Sequence, residues 1–255
     1  MEKMNIAILG IGEAGGALAR DLLQQGVTLS GWDPEPQNLP DGLLFAGSNP
    51  AAARDADLVL STNRAAVAVE VAREVLPVLG PGQVYADLNT AAPEIKRQID
   101  ELFRDGPAQF ADVAIMSPIL PHGVRTPTLA CGGGAGAFFR ILSGYGMPVT
   151  VLDGPAGQAA VYKLLRSTFY KGVAAVVLET AEVAEALGLE AWAREQMLTV
   201  LKEEAMIDRF IRGSKKHAAR RAHEMDAVID MLTAEGVRPL TSAAARERLI
   251  ELTNE

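Results

Sequence analysis

Cysteine is almost absent from this sequence, since Cys131 is the single one among 255 residues. One thiol excludes a disulfide within the chain, and a lone cysteine is typical of reducing compartments. No cluster of His or Cys surrounds Cys131, so no metal site is expected. Apolar runs long enough to span a membrane, about 18 residues, are absent too, and no basic region or cleavage site precedes the first strand at Asn5. We therefore expect a cytoplasmic protein without a membrane partner.

Basic residues are in the minority, with 24 Lys and Arg against 32 Asp and Glu and a formal net charge of -8. Such a surface does not attract nucleic acid, which is excluded as an expected partner. The exception is a basic stretch, Lys215-Lys216-His217 with Arg220-Arg221, in a segment with a helical pattern. It is either a solvated helix face or a patch that faces a ligand. The apolar fraction of 49% is sufficient for one large or two modest domain cores.

Up to about residue 150, short apolar runs alternate with helical patterns. This alternation predicts βαβ units and a doubly wound, mostly parallel sheet of Rossmann type over residues 1–153. The predicted strands cover residues 5–9, 27–32, 58–61, 84–88, 109–116, 128–131 and 148–152.

Beyond about residue 155 the strands disappear and apolar residues recur at spacings of three and four, which predicts a smaller all-α domain over residues 154–255. The predicted helices cover residues 157–187, 190 to about 207, about 214–235, and 242–252. The first would be about 46 Å long, which suggests an element shared between the two domains.

A glycine-rich turn, Gly10-Ile11-Gly12-Glu13-Ala14-Gly15, follows the first predicted strand and opens a helix. Gly10 permits the tight turn, Gly12 lets a pyrophosphate approach the backbone, and Gly15 lets helix and strand pack closely. The second strand ends in Asp33, whose carboxylate suits the ribose hydroxyls of NAD and repels a 2′-phosphate. The alternative is a glycine turn without a ligand. The predicted cofactor-binding residues are Gly10, Ile11, Gly12, Glu13, Ala14 and Asp33, with NAD preferred to NADP.

A lysine, Lys163, follows the small residues of segment 154–160 and lies about two turns into the long predicted helix. Hydride transfer to a carbonyl needs a proton for the developing alkoxide, and the reverse reaction needs that proton removed. A lysine whose pKa is lowered by burial and by the nicotinamide charge suits both directions. Taken alone, a lysine at such a position is usually a solvated helix residue.

Four segments in order give the chain a resemblance to the β-hydroxyacid dehydrogenase superfamily, which includes 6-phosphogluconate dehydrogenase and hydroxyisobutyrate dehydrogenase. They are the glycine turn, residues 87–93 (Asp-Leu-Asn-Thr-Ala-Ala-Pro), residues 112–118 and residues 154–163. The resemblance implies that Lys163 is the general acid/base and that Thr62, Asn63 and Thr90 lie beside the cofactor. Ordinary capping of strand ends is the alternative for these three.

The substrate segment departs from the family pattern. Met116 stands where the family has a serine, Ser117 is the nearest substitute, and Pro118 offers no amide donor. Ser167 replaces the asparagine that the family has one turn after its lysine, and His223-Glu224 corresponds to its C-terminal Lys-Asp pair. These departures resemble a poorly characterised short branch of the superfamily. The expected substrate-binding residues are Asn89, Ser117, Ser167, Tyr170 and His223.

Together these features predict an NAD(P)-dependent oxidoreductase that transfers hydride between nicotinamide and a small hydroxy acid, alcohol or carbonyl compound. We expect its active site between the two domains and a homodimer formed through the apolar helical domain. Two alternatives stay open. An imine reductase shares this architecture but usually has another residue at the position of Lys163. A non-catalytic NAD(P)-binding or sensing protein would be consistent with Met116 and Pro118.

Overall fold

The computed structural model describes residues 4–36 and 39–253, and the chain divides into two compact units, Met1–Lys163 and Leu164–Glu255. The first unit contains an eight-stranded sheet of β1 (Asn5–Leu9), β2 (Thr28–Trp32), β3 (Leu44–Phe45), β4 (Leu58–Ser61), β5 (Val84–Asp87), β6 (Gln109–Ile115), β7 (Thr128–Cys131) and β8 (Val149–Val151). Its helices are α1 (Glu13–Gln24), α2 (Asn49–Ala53), α3 (Ala68–Val75), α4 (Pro93–Phe103), α5 (Ala135–Ser143) and the beginning of α6 (Gln158–Leu187). The second unit contains the rest of α6 with α7 (Glu190–Leu201), α8 (Glu204–Lys216), α9 (Ala218–Ala234) and α10 (Leu240–Glu251).

The sheet has the order β3-β2-β1-β4-β5-β6-β7-β8. Neighbouring strands are parallel except β6 and β7, which are antiparallel. The chain order reverses beside β1, and ligands of such sheets bind at the carboxyl ends of the strands near this point. The predicted Rossmann-type, mostly parallel fold followed by a helical region is therefore confirmed. The short strand β3 is not among the strands predicted from the sequence.

The buried side chains of strand β1 are apolar on both faces of the sheet, and helices cover both faces. Ile6 and Ile8 belong to one buried apolar cluster, whereas Ala7 and Leu9 belong to another. Successive side chains of a strand point to opposite faces, so the two clusters lie on opposite sides of the sheet. With both faces covered, the polar ends of the strands are the part of the sheet left for chemistry.

The second unit is built around α6, a helix of 30 residues that ends before Gly188. Gly188 has a φ of 66°, the left-handed conformation that commonly ends a helix. One buried cluster joins Val177 of α6 to Ile207 and Phe210 of α8. Within the described residues, no helix is both long and apolar enough to cross a membrane.

Two helix predictions in this unit were wrong in their boundaries. The predicted helix from residue 190 to about 207 is two helices, because Lys202 adopts φ 63° and ends α7 with its amide donating to Leu198. The predicted start at about residue 214 falls inside α8, which continues to Lys216, while α9 begins at Ala218. Neither break contains the glycine or proline that would mark it in the sequence.

Candidate functional site

The turn after β1, which we call the glycine loop (residues 10–15), contains glycines with two different roles. Gly10 has φ +97°, and a Cβ there would lie 2.7 Å from the amide nitrogen of Asn63. A Cβ on Gly15 would lie 2.0 Å from the carbonyl oxygen of Gly10. A Cβ on Gly12, in contrast, would meet nothing within 4 Å. Packing within the fold therefore requires Gly10 and Gly15, whereas the space beside Gly12 is open to a ligand.

Backbone donors of the glycine loop face the same region. Helix α1 begins at Glu13, and its N-cap Gly12 has no side chain that could accept a hydrogen bond from the first amides of the helix. The first amides of a helix have no partner inside the helix and carry its positive dipole end, so Glu13 and Ala14 provide donors suited to phosphate. The Asp33 carboxylate accepts a hydrogen bond from the Ile11 amide (2.6 Å) and another from the Glu35 amide (2.9 Å). Asp33 is half-buried beside the loop, and these residues fit the pyrophosphate and ribose of a dinucleotide.

Polar side chains at the ends of β4 and β5 form a hydrogen-bonded network next to the loop. The Thr62 hydroxyl donates to the Gly10 carbonyl at 2.7 Å. The Asn63 amide donates to Ser61 at 3.0 Å, and its oxygen accepts from the Asn89 amide nitrogen at 3.0 Å. The Asn89 amide nitrogen also contacts Asp87, while its oxygen is buried without a hydrogen-bond partner among the described residues. The network fixes the positions of these side chains at the edge where the loop lies.

Lys163 reaches this edge from α6. Its ammonium nitrogen donates to the Thr90 hydroxyl at 2.6 Å, across 73 positions of sequence. Lys163 is half-buried, and Thr90 directly follows Asn89 of the network. The fold thus brings together an ammonium group, a hydroxyl and two side-chain amides beside the glycine loop.

A buried ion-pair network lies behind this edge. The Lys96 ammonium contacts the Asp87 carboxylate at 2.7 Å and the Asp112 carboxylate at 3.3 Å, and all three side chains are at most 1% exposed. Burial lowers the pKa of Lys96, but the charges of Asp87 and Asp112 and the hydrogen bonds outweigh it, so the pKa is raised. Lys96 therefore stays charged and ties the end of β5 to the middle of β6.

Sequence reasoning missed Lys96, although a signal was present. On α4 the buried residues are Pro93, Lys96, Ile99 and Phe103, so the lysine occupies a position of the apolar stripe. A lysine at such a position needs a buried carboxylate, because an unpaired charge is costly to bury.

Asp112 also positions the start of α6. Its Oδ2 accepts hydrogen bonds from the amides of Gly157 (2.9 Å) and Ala160 (3.3 Å). The Cys131 thiol lies 3.3 Å from the same oxygen, and burial followed by the Asp112 charge raises the pKa of Cys131 to about 12. One carboxylate thus joins Lys96 to the helix that carries Lys163.

The segment after β6 holds the residues that depart from the family pattern. Met116 packs with a buried cluster that contains Ala114 and Cys131. The Ser117 hydroxyl oxygen is buried and has no hydrogen-bond partner in the part of the chain that the structure describes, and Pro118 is exposed. Ser117 is therefore the polar side chain that this segment offers.

The other predicted substrate residues lie in the second unit. The Ser167 hydroxyl contacts the Glu224 carboxylate, and the Lys171 ammonium lies 2.6 Å from Glu224 and 3.1 Å from the Ser167 oxygen. Burial lowers the pKa of Lys171. Glu224 opposes this effect, whereas the positive charges of Arg221 and Arg220 lower the pKa further. Tyr170 packs edge-on against Phe210 at 5.1 Å between ring centroids. His223 is exposed on α9 and is not part of this group.

Sequence reasoning named Ser167 and quoted Glu224, but not Lys171 as a site residue. Lys163, Ser167 and Lys171 are spaced by four, which places them along one face of α6. That spacing is the signal that could have found Lys171. No group of three or more His, Cys, Asp or Glu side chains within residues 4–36 and 39–253 is arranged to hold a metal ion.

Two sequence families match the chain. Residues 5–141 match the "NAD binding domain of 6-phosphogluconate dehydrogenase", which is more than half of the chain, and residues 184–252 match a "Domain of unknown function (DUF1932)". Among curated relatives, an NAD-dependent L-serine dehydrogenase of Pseudomonas aeruginosa is 30% identical over 196 residues, which are 72% of this chain and 64% of the relative.

Two solved structures extend the similarity to nearly the full length. A conserved protein of unknown function, whose structure reveals structural similarity with 3-hydroxyacid dehydrogenases, has 27% identity and a TM-score of 0.77. The alignment covers 98% of this chain and 97% of that protein. The 3-hydroxyisobutyrate dehydrogenase of Mycobacterium tuberculosis, solved with L-serine, has a TM-score of 0.82 at 16% identity, with coverages of 99% and 94%. The glycine loop, the sheet order and the family match agree, and the chain belongs to the 6-phosphogluconate dehydrogenase-like superfamily of hydroxyacid dehydrogenases.

Proposed function

We propose that this protein is an NAD-dependent dehydrogenase that interconverts a small hydroxy acid and its carbonyl form, with Lys163 as general acid/base. The observation that carries the proposal is the hydrogen bond of 2.6 Å between the Lys163 ammonium and Thr90, at the strand ends next to the glycine loop. The NAD-binding family match and the similarity to a serine dehydrogenase support the reaction class.

The residues that would hold the cofactor belong to the glycine loop and to Asp33. The amides of Glu13 and Ala14 suit the phosphates, the open space at Gly12 admits them, and Asp33 suits a free ribose 2′-hydroxyl. A carboxylate at this position disfavours a 2′-phosphate, so we propose NAD over NADP. When bound, the nicotinamide ring accepts or delivers hydride.

Lys163 handles the proton. In oxidation its neutral amine accepts the proton of the substrate hydroxyl, and in reduction its ammonium returns a proton to the oxygen that develops negative charge. The Thr90 hydroxyl accepts one hydrogen bond from the nitrogen atom and so helps to hold it at the strand ends. We propose Asn89 and Ser117 as the neighbouring groups that orient the substrate, since within residues 4–36 and 39–253 the amide oxygen of Asn89 and the hydroxyl of Ser117 are buried without a hydrogen-bond partner.

The test begins with fluorescence titration of NADH and NADPH into the wild-type protein and the Asp33→Ala variant. We expect NADH to bind more tightly than NADPH, and the preference to shrink by on the order of tenfold in the variant. Asp41→Ala is the matched control, because Asp41 is an exposed carboxylate nearby in the chain. Failure to bind either nucleotide would overturn the proposal.

Turnover is then measured with L-serine and a panel of short hydroxy acids, comparing wild type with Lys163→Met and the control Lys215→Met, whose side chain is exposed. Loss of the general acid/base is expected to lower kcat by about 10² to 10⁴ without weakening NADH binding. Turnover that is confined to cyclic imines would favour an imine reductase. NADH binding without turnover of hydroxy acids or of cyclic imines would favour a non-catalytic sensing protein.

We also propose that the protein is a homodimer in the cytoplasm. The lone Cys131 suits a reducing compartment. Along α6 the exposed apolar side chains Phe169, Val176 and Val183 recur every seven residues, and they are 72%, 62% and 53% exposed. An apolar stripe of this kind on a long helix is typical of a helix-to-helix contact. A second copy of the same helix is the partner that we propose.

A further inference from the structure

Two residues of the basic stretch noted in the sequence, Arg220 and Arg221, belong in the second unit to a larger group that the proposed function does not use. Two guanidinium groups contact one aromatic ring: the Cζ of Arg166 is 4.9 Å from the centroid of Tyr170, and that of Arg209 is 5.3 Å from it. These arginines come from α6 and α8, so side chains distant in sequence converge on Tyr170. We call Arg166, Lys171, Arg209, Arg220 and Arg221 the cationic cluster.

Arg221 occupies a site built for a guanidinium group. Its Nη1 donates to the Ser214 hydroxyl at 2.7 Å, and Ser214 is fully buried. A Cβ on Gly213 would lie 2.9 Å from the Arg221 Nη2, so the absence of a side chain at Gly213 makes room for it. The arginine is thus held against α8 instead of extending freely into solvent.

The positive charges of the cationic cluster act on one another. Burial lowers the pKa of Arg221. The positive charges of Arg220 and Arg209 lower this pKa further, and the negative charge of Glu224 opposes them. The carboxylate of Glu224 already contacts Lys171 and Ser167. No ion pair joins Arg166, Arg209 or Arg220 to a carboxylate within the described ranges.

A protein of net charge -8 thus gathers five cationic side chains in one part of the second unit, where the Glu224 carboxylate pairs with Lys171. Like charges held together cost free energy that a bound anion would recover. Guanidinium groups present planar donor pairs that suit phosphate-type oxygens, and stacking on an aromatic ring holds such a group in a fixed orientation. We propose that the cationic cluster binds a dianionic group of phosphate or phosphonate type, either on the substrate or as a free anion.

Isothermal titration of inorganic phosphate into the full-length protein tests the site directly. The titration is performed with and without saturating NADH, because phosphate also suits the glycine loop. We expect saturable binding that persists with NADH and that weakens about tenfold or more in Arg209→Gln and in Arg166→Gln. Thermal melting of each variant establishes that the fold is retained.

The matched control is Arg212→Gln. Arg212 lies on α8 like Arg209, but it is exposed and contacts Asp208 at 3.6 Å instead of Tyr170. We expect phosphate affinity to be unchanged in this variant. The proposed site would be refuted if phosphate showed no saturable binding. It would also be refuted by an equal loss of phosphate affinity in Arg212→Gln and Arg209→Gln.

Two further measurements identify the source of the anion, and the first rests on the proposed function. If the substrate carries the group, 2-hydroxyethylphosphonate will be oxidised with a higher kcat/KM than 3-hydroxypropionate, and Arg209→Gln but not Arg212→Gln will reduce this preference. If the anion is free, phosphate will change the turnover of 3-hydroxypropionate without competing with it. Phosphate binding that depends on Arg209 in a protein without turnover would refute the proposed function and leave the site standing.

Discussion

The carboxylate of Asp112, in the middle of strand β6, accepts a hydrogen bond from the amide of Gly157 at 2.9 Å. Because Gly157 directly precedes α6, this contact fixes where the helix begins. The same carboxylate faces the buried ammonium of Lys96 at 3.3 Å. The position of Lys163 in the first two turns of α6 therefore depends on a charge network that is far from it in sequence.

We expect Asp112→Asn to destabilise the protein by about 3 kcal/mol, because it removes one of the two buried carboxylates that face Lys96. The asparagine retains an oxygen for the Gly157 amide, so the loss reports mainly the charge. Unfolding in urea measures it, with Asp105→Asn, an exposed carboxylate of the same unit, as the control. Equal stability of the two variants would show that the ion pair contributes little.

Substitutions of Gly12 and Gly15 in the glycine loop are expected to separate binding from folding. Gly15→Ala places a Cβ about where the Gly10 carbonyl lies, so we expect a loss of about 1–3 kcal/mol or more in unfolding free energy. Gly12→Ala meets no atom within 4 Å, so we expect native stability and an NADH affinity reduced on the order of tenfold. Urea unfolding and NADH titration are measured on both variants. A Gly12→Ala variant with unchanged affinity would contradict the assignment of the cofactor site.

Lys171 is expected to give the protein a stability that rises with pH. Its pKa in the folded state is lowered, first by burial, below the ordinary value of 10.5. Between the folded pKa and 10.5 the unfolded chain binds more protons than the folded one, so unfolding becomes harder as pH rises through this window. The neighbouring Glu224 raises this pKa, so Glu224→Gln should widen the window.

Urea unfolding across neutral to alkaline pH measures this effect as the difference between wild type and Lys171→Met. The control Lys216→Met removes an exposed ammonium from α8. The slope of stability against pH should become shallower in Lys171→Met and stay as in wild type in Lys216→Met. Identical slopes in all three proteins would contradict the prediction.

The proposed dimer predicts an effect of charge on the exposed stripe of α6. In the double variant Phe169→Glu with Val176→Glu, repulsion between copies should reduce the mass in solution from two chains to one of 27.0 kDa. Light scattering after gel filtration measures it, with Glu179→Gln, an exposed residue of the same helix, as the control. A wild-type mass of one chain would refute the dimer.

Much of the fold could be predicted from the sequence because its signals are local. The apolar run of β1, the glycines after it and Asp33 at the end of β2 each report on a few neighbouring residues. The 30-residue span of α6 could also be predicted, because the spacing of its apolar residues and the Gly188 that ends it lie within one segment. The break between α7 and α8 at Lys202 could not be predicted. No sequence pattern marks a lysine that adopts the left-handed conformation, and the surrounding packing determines that conformation.

The candidate site likewise has one part that the sequence predicts and another that only the tertiary structure shows. The sequence by itself determined that a phosphate-binding turn, a carboxylate after β2 and a lysine early in a long helix exist in this order. Only the tertiary structure decided that Lys163 meets Thr90, that Lys96 joins Asp87 to Asp112, and that Arg166 and Arg209 share the ring of Tyr170. Such pairs come from elements far apart in the chain, and their partners are chosen by how the sheet and helices pack, which local periodicity does not encode.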